Sequence, residues 1–210
     1  MPITTTRSRA EAARRRDRRR LAALLALIAL LVIGGGGLLW IVSAPVEEAA
    51  PIGGPFRLEA SDGRMVTDRD FRGKYLLVYF GYTICPDVCP TTLQNLAQAL
   101  GTLGAEADRL QPVLVTVDPA RDTPDVMAQY TAAFSPRLLG LSGTPQEIAQ
   151  IEQEYHVYAA IHRTGPKPGD YTVDHSSALY LMGPDGGFVA RLPADAPAAE
   201  LAASLAKRLS

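Results

Sequence analysis

Two cysteines, Cys85 and Cys89, lie four positions apart in the segment GYTICPDVCPTT and are the residues of this chain best suited to chemistry. A thiolate at either position can attack a disulfide or bind a soft metal ion such as Cu(I). A structural disulfide between them would close a loop of only a few residues and contribute about 2 kcal/mol. A domain of ordinary size does not need that cross-link, so we favour a redox couple or part of a metal site.

The elements on either side of the cysteines also favour a reactive role. The apolar run YLLVYF at 75–80 predicts a strand buried on both faces, and leucines at helical spacing predict a helix over 91–103. The cysteines fall between this strand and this helix, where α/β folds place reactive groups. Free N–H groups at the start of a helix favour a thiolate, which lowers the pKa of the nearer cysteine.

The remaining patterns alternate predicted strands with predicted helices. Strands are predicted on both sides of the Asp62-Gly63 turn, over 112–117, at 156–162 and in a hairpin over 178–190, and helices over 124–134, 145–154 and 198–209. We expect Asp122 or Thr123 to cap the helix over 124–134, and a capping box to begin at Thr144. The order predicts an α/β domain whose central sheet is covered by helices.

Three histidines could supply a further ligand. His156 and His162 bracket a predicted edge strand, where solvent-facing or structural roles are usual. His175 directly precedes the apolar strand 178–182, and in a thioredoxin-type topology the turn before that strand packs against the cysteine loop. Two thiolates and one imidazole form a soft, low-coordinate site suited to Cu(I), whereas Zn(II) normally takes a fourth ligand.

The first 54 residues have the composition of a membrane anchor with its flanks. Residues 1–20 carry eight arginines and a net charge of +6, residues 21–42 have no charged side chain, and residues 43–54 form a linker rich in Pro, Ala and Glu. A helix over 21–42 would be about 33 Å long, enough to cross a bilayer. The positive-inside rule then places 1–20 in the cytoplasm and the domain 55–210 on the other side. A cleaved signal is the alternative, because the glycine run 34–37 weakens the helix.

The distribution of charge argues against a nucleic-acid partner. The whole chain has a net charge of −1, so the part after residue 20 sums to −7 and would repel phosphate. We expect a protein of the bacterial inner membrane with its C-terminal domain in the periplasm, with the mitochondrial inner membrane as the alternative. Either location exposes the domain to an oxidising or copper-containing compartment.

Four segments of the chain resemble the Sco/SenC family of membrane-anchored copper-binding proteins. They are FRGKYLLVYFGYT, CPDVCPTTL with the family's CPxxCP signature, VDPARDTP and DYTVDHSSALYLMGPDG, and the resemblance covers nearly all of 55–209. It implies a thioredoxin-like fold, with a central mixed sheet flanked by helices, and a copper ion, Cu(I) or Cu(II), bound by Cys85, Cys89 and His175. Ile84 stands where many relatives have histidine, a difference that leaves this ligand set intact.

The same resemblance implies a role in the assembly of cytochrome c oxidase. The chain would deliver copper to the dinuclear copper centre of that enzyme or reduce the cysteines of that centre, with the oxidase subunit or another copper chaperone as partner. The alternative is a dedicated thiol-disulfide oxidoreductase that uses Cys85 and Cys89 and does not need His175. A peroxiredoxin-like site is a weaker alternative, because Thr83 is one position too close to Cys85 and no arginine partner is identifiable from the sequence.

Two carboxylates adjoin the predicted ligands. Asp87, between the cysteines, is expected to cap the following helix or to tune thiol acidity. Asp174 is expected to orient His175 as a carboxylate partner of the ring. The segment VDPARDTP is explained by the end of a strand and a helix cap, and we assign it no chemistry.

Overall fold

The computed structural model describes residues 50–209, together with Leu24, Ala26, Leu27, Ala29 and Leu30, which are helical. The chain divides into two compact units, Met1–Ala49 and Ala50–Ser210. None of the helices in the described residues has both the length and the apolar character needed to cross a bilayer. Most of the predicted anchor over 21–42 and of the linker over 43–54 lies outside the described residues, as does the basic segment 1–20, so these assignments stay predictions.

A mixed β-sheet forms the centre of the second unit. Its strands are β1 (Arg57–Ala60), β2 (Met65–Thr67), β3 (Tyr75–Gly81), β4 (Leu110–Thr116), β5 (Leu139–Ser142), β8 (Ala178–Met182) and β9 (Phe188–Pro193). The seven strands lie in the order β2-β1-β5-β4-β3-β8-β9. Strands β3, β4 and β5 are parallel, whereas β8 runs antiparallel to β3 and β1 antiparallel to β5. The sheet thus agrees with the predicted mixed topology and adds β5, a strand that was not predicted.

Four α-helices cover the sheet. They are α1 (Val88–Leu103), α2 (Pro124–Ala132), α3 (Pro145–Glu154) and α4 (Ala198–Leu209), and two short 3-10 helices lie at Asp68–Phe71 and Gly104–Arg109. Helices α3 and α4 have their predicted bounds, and Thr144 forms the predicted capping box. Thr123, rather than Asp122, caps α2 by accepting a hydrogen bond from the N–H of Val126. Helix α1 begins three residues earlier than predicted, so Cys89 lies in its first turn.

The two faces of the sheet build two hydrophobic cores, because successive side chains of a strand point to opposite faces. Leu77 and Tyr79 of β3 join the core that contains Cys89 and the buried faces of α1 and α4. Leu76, Val78 and Phe80 join the opposite core, which contains the buried face of α3. Every residue of β3 after Tyr75 is buried, which confirms the strand predicted from YLLVYF.

A separate two-stranded hairpin carries His175. Its strands are β6 (Ala159–Arg163) and β7 (Tyr171–His175), and Ala159 lies opposite His175 in the register. Only β6 corresponds to a predicted strand, and it begins three residues later than the predicted 156. His175 therefore ends a strand instead of lying within a turn.

Candidate metal centre

The loop between β3 and α1 positions both cysteines at the start of a helix. The N–H of Cys85 donates to the carbonyl oxygen of Tyr82 at 3.2 Å, which closes the loop into a turn. The N–H of Cys89 points at Sγ of Cys85, 3.4 Å away. This contact occupies one of the free N–H groups of the first helical turn and directs the positive end of the helix dipole at the Cys85 sulfur. The predicted position at a helix N-terminus is therefore confirmed for Cys85.

Asp87 does not take the predicted capping role through its side chain. It occupies the position before α1, but the carboxylate is exposed and makes no capping hydrogen bond. Its carbonyl oxygen instead accepts a hydrogen bond of 3.0 Å from Oγ1 of Thr91. The Cys85 sulfur takes the place of a capping side chain because it faces the N–H of Cys89.

His175 completes a cluster of three donor atoms. Its Nε2 lies 3.5 Å from Sγ of Cys89. The donor atoms of Cys85, Cys89 and His175 all lie within 4.8 Å of one another, and the described part of the chain contains no other cluster of this kind. His156 and His162 are both exposed and stand outside the cluster. The structure thus brings together the three residues predicted as ligands.

A backbone carbonyl fixes the orientation of the His175 ring. Nδ1 lies 3.1 Å from the carbonyl oxygen of Ser176. A carbonyl oxygen can only accept, so Nδ1 carries the proton and the lone pair of Nε2 faces the sulfurs. Asp174 is exposed and is not hydrogen-bonded to the ring. Ser176 therefore makes the orienting contact expected of Asp174.

Burial favours the neutral forms of Cys89 and His175 in the absence of a cation. It raises the pKa of the Cys89 thiol to about 12 and lowers the pKa of His175 below its ordinary value. The rings of Tyr79 and Tyr82 stand edge-on to the imidazole, with centroids 6.4 and 6.0 Å away. An apolar pocket with sulfur and imidazole nitrogen donors suits a soft monovalent cation, to which the cysteines would bind as thiolates.

Gly81 leaves the space that the Cys89 sulfur occupies. A Cβ at this position would lie 3.0 Å from Sγ of Cys89 and 3.3 Å from the ring of Tyr79. The hydroxyl of Tyr79 is buried beside these groups and lacks a hydrogen-bond partner within the described residues. The pocket therefore fits tightly around the sulfur, with the Tyr79 hydroxyl buried nearby.

The segment VDPARDTP contributes a residue that the sequence reasoning missed. Asp122 is fully buried and accepts hydrogen bonds from the N–H of Thr83 at 3.0 Å, from Oγ1 of Thr83 at 2.5 Å and from Oγ1 of Thr116 at 2.7 Å. This carboxylate ties the start of the cysteine loop to the end of β4. Its signal in the sequence was an acidic residue soon after a buried parallel strand, on the sheet edge where β3 also ends.

Comparison with known proteins identifies the family. The sequence model described as SCO1/SenC matches residues 44–210. The chain belongs to the SCO1/SenC family. The human relative, Protein SCO1 homolog, mitochondrial, is 41% identical over 162 residues, which cover 75% of this chain and 53% of the human protein. The bovine Protein SCO2 homolog, mitochondrial, is 47% identical over 147 residues, covering 68% of this chain and 54% of the bovine protein.

Solved SCO1/SenC structures share the fold. Bradyrhizobium japonicum ScoI with copper bound is 46% identical, with a TM-score of 0.69 over 76% of this chain and 99% of that one. Yeast Sco1 with copper bound is 40% identical, with a TM-score of 0.69 over 76% of this chain and 88% of that one. The described domain therefore has the thioredoxin-like Sco fold, as the resemblance implied. This chain spans about half the length of the curated relatives that it matches.

Proposed function

We propose that this protein binds one copper ion through Cys85, Cys89 and His175 and delivers it to the dinuclear copper centre of cytochrome c oxidase. The single observation that carries the proposal is the convergence of the three donor atoms within 4.8 Å. Support comes also from the chemistry of the donors, because two thiolates and one imidazole suit Cu(I) and offer no fourth ligand for Zn(II). The copper-bound relatives ScoI and Sco1 agree with this choice of metal.

The site can both hold a copper ion and expose it to a recipient protein. Cys89 is buried in the core, whereas Cys85 is half-buried at the surface of the loop. A partner thiolate can therefore approach the copper ion from the side of Cys85 and replace the ligands one at a time. Ile84 and Val88 flank this approach and are 57% and 43% exposed, which provides an apolar rim for the recipient protein.

The proposal places the domain at the outer face of an energy-transducing membrane. Residues 21–42 would anchor the chain, with 1–20 in the cytoplasm and the copper domain in the bacterial periplasm. The curated relatives carry the designation mitochondrial, which keeps the mitochondrial inner membrane as the alternative. The recipient would be the oxidase subunit that holds the dinuclear centre, or another copper chaperone.

A competition titration tests the binding step. The reduced full chain is titrated with Cu(I) against a chromophoric chelator, alongside Cys85→Ser, Cys89→Ser, His175→Ala and the control His162→Ala, whose ring is exposed. We expect one copper per chain, and a loss of affinity in the first three variants larger than the roughly tenfold that removal of an outer hydrogen-bond partner costs. Unchanged affinity in His175→Ala would remove the histidine from the site. Delivery is tested by mixing the copper-loaded chain with a copper-free oxidase domain and following the absorption spectrum of that domain as it gains copper.

The arrangement of the cysteines also supports thiol-disulfide exchange as a second candidate function. Both are free, and half-buried Cys85 lies in front of buried Cys89. Cys85 would attack a partner disulfide, and Cys89 would displace the partner, so the dithiol becomes a disulfide while the partner gains two electrons and two protons. Turnover that persists in His175→Ala without copper would favour this candidate over copper delivery.

A further inference from the structure

The hairpin that carries His175 is not part of the main sheet. Among the residues that the structure describes, strands β6 and β7 pair only with each other. The chain after His175 enters β8 within three residues, and the rest of the hairpin is held against the domain by contacts that involve side chains. Because alternate residues of a strand share a face, Tyr171, Val173 and His175 of β7 point to the same side.

The far end of this face is held by Arg121 in the loop after β4. The guanidinium lies against the Tyr171 ring, with Cζ 3.6 Å from the ring centroid. Its Nη1 donates to the Tyr171 carbonyl oxygen at 3.0 Å. Arg121 also forms an ion pair with Asp118, and the Tyr171 hydroxyl donates to Oδ1 of Asp118 at 2.8 Å. Strand β7 is thus bound to this loop through its backbone, its ring and its hydroxyl.

The guanidinium of Arg121 also lies near Tyr82, which belongs to the cysteine loop. Cζ of Arg121 lies 5.8 Å from the Tyr82 ring centroid. The N–H of Val173 donates to the Tyr82 hydroxyl at 3.4 Å, and the Tyr82 ring stands edge-on to the imidazole of His175. Arg121 therefore lies beside one aromatic ring of the cysteine loop, Tyr82, and one aromatic ring of the hairpin, Tyr171.

We propose that Arg121, fixed by Asp118, is a positioning residue that holds the β6–β7 hairpin against the cysteine loop and so places His175 within bonding reach of the sulfurs. This inference rests on the proposed three-ligand copper site. It needs arginine specifically, because a lysine cannot stack on a ring while donating in two further directions. Asp118 is 4% exposed and its partner is 18% exposed by side chain, so the pair is sheltered from solvent.

A double-mutant cycle tests the proposal. Cu(I) affinity is measured on the reduced full chain for Arg121→Lys, for His175→Ala and for the double variant, with Arg137→Lys as the control because Arg137 pairs with Asp108 on the surface. We expect Arg121→Lys to weaken copper binding about tenfold when His175 is present, as loss of an outer partner does. In the His175→Ala background, Arg121→Lys should change the Cu(I) affinity by no more than about twofold, which is the usual deviation from additivity for independent mutations. The control should change neither value.

A second variant keeps the test informative if Arg121→Lys does not fold. Tyr171→Phe retains the ring beneath the guanidinium and removes only the hydroxyl that donates to Asp118. We expect a smaller loss of affinity than the tenfold expected for Arg121→Lys, again confined to the chain with His175. The inference about Arg121 would be overturned if Arg121→Lys weakened Cu(I) binding equally with and without His175. It would also be overturned if Arg121→Lys had no effect while His175→Ala weakened binding. Neither result would contradict the proposed copper site. Unchanged affinity in His175→Ala would contradict the proposed function itself.

Discussion

Nε2 of His175 lies 3.5 Å from Sγ of Cys89, although 86 positions separate the two residues in the chain. The topology explains this proximity. Strand β8 runs antiparallel to β3, with Leu179 opposite Tyr79, so the chain just before β8 returns to the end of β3 where the cysteine loop begins. The sulfur and the imidazole therefore meet at one edge of the sheet.

Substitution of Gly81 by alanine should disturb the metal centre directly. The added methyl would lie 3.0 Å from Sγ of Cys89, so the sulfur, which lies 3.5 Å from Nε2 of His175, must shift by a few tenths of an ångström. We expect a loss of about 1–3 kcal/mol of unfolding free energy, typical of overpacking, together with weaker Cu(I) binding. Gly101→Ala is the matched control, because a Cβ there meets nothing within 4 Å and should stabilise α1 by about 1 kcal/mol. Gly81→Ala with unchanged copper affinity would contradict the tight fit around the sulfur.

Asp122→Asn should loosen the cysteine loop. An amide cannot accept all three hydrogen bonds that Thr83 and Thr116 donate to this carboxylate, and one donor would face its NH2 group. We expect a loss of about 2–3 kcal/mol in urea unfolding of the full chain, because charge-assisted bonds are broken in a buried site. Asp125→Asn, an exposed residue in the first turn of α2, should cost less than about 1 kcal/mol. Similar losses in both variants would show that Asp122 does not hold the loop.

Glu152 should make stability depend on pH. Burial raises the pKa of this carboxyl from 4.5 to about 7 in the folded chain. Because the folded value is the higher one, the stabilising contribution is fully present below pH 4.5 and is lost as the pH rises through about 7. Glu152→Gln should therefore increase stability at pH 8 by on the order of 1 kcal/mol, a value reduced for solvent screening, and should leave stability at pH 4 nearly unchanged.

Urea unfolding at several pH values measures this effect. Glu106→Gln provides the control, because Glu106 is exposed in a 3-10 helix away from α3. A Glu152→Gln variant whose stability follows the same pH profile as the unmodified chain would contradict the assignment.

Copper binding should release protons. Cys89 has a pKa of about 12, so it is a thiol at neutral pH and must lose its proton to Cu(I). His175 has a lowered pKa and supplies a neutral ring with no proton to displace. We expect the apparent Cu(I) affinity to rise by at least about tenfold per pH unit between pH 7 and 9. Competition titrations at fixed chelator concentration measure this slope, and an affinity independent of pH would show that Cys89 is not a ligand.

The sequence contains clear signals for most elements of the sheet and for the ligands. The apolar run of β3 and the capping box at Thr144 are local patterns, so they predict structure without tertiary information. Cys85 and Cys89 are marked by their spacing between a strand and a helix. His175 is recognisable because it directly precedes β8. Its proximity to the cysteines can be predicted only if the topology of the fold is assumed.

Elements supported mainly by tertiary contacts escaped prediction. Strand β5 has only four residues, LGLS, and is held between β1 and β4 in the sheet. In β7 only Val173 is buried, so the strand lacks an apolar pattern. Asp122 accepts hydrogen bonds from Thr83 and Thr116, which lie 39 and 6 positions away in the chain. The local sequence pattern does not reveal these contacts and indicates only a helix cap.

Copper K-edge X-ray absorption of the reduced full chain, loaded with one equivalent of Cu(I), identifies the atoms that bind the ion. We expect two sulfur scatterers and one imidazole nitrogen, with the nitrogen absent in His175→Ala. A copper ion coordinated by sulfur alone in the unmodified chain, with the same spectrum in His175→Ala, would contradict the proposed copper site.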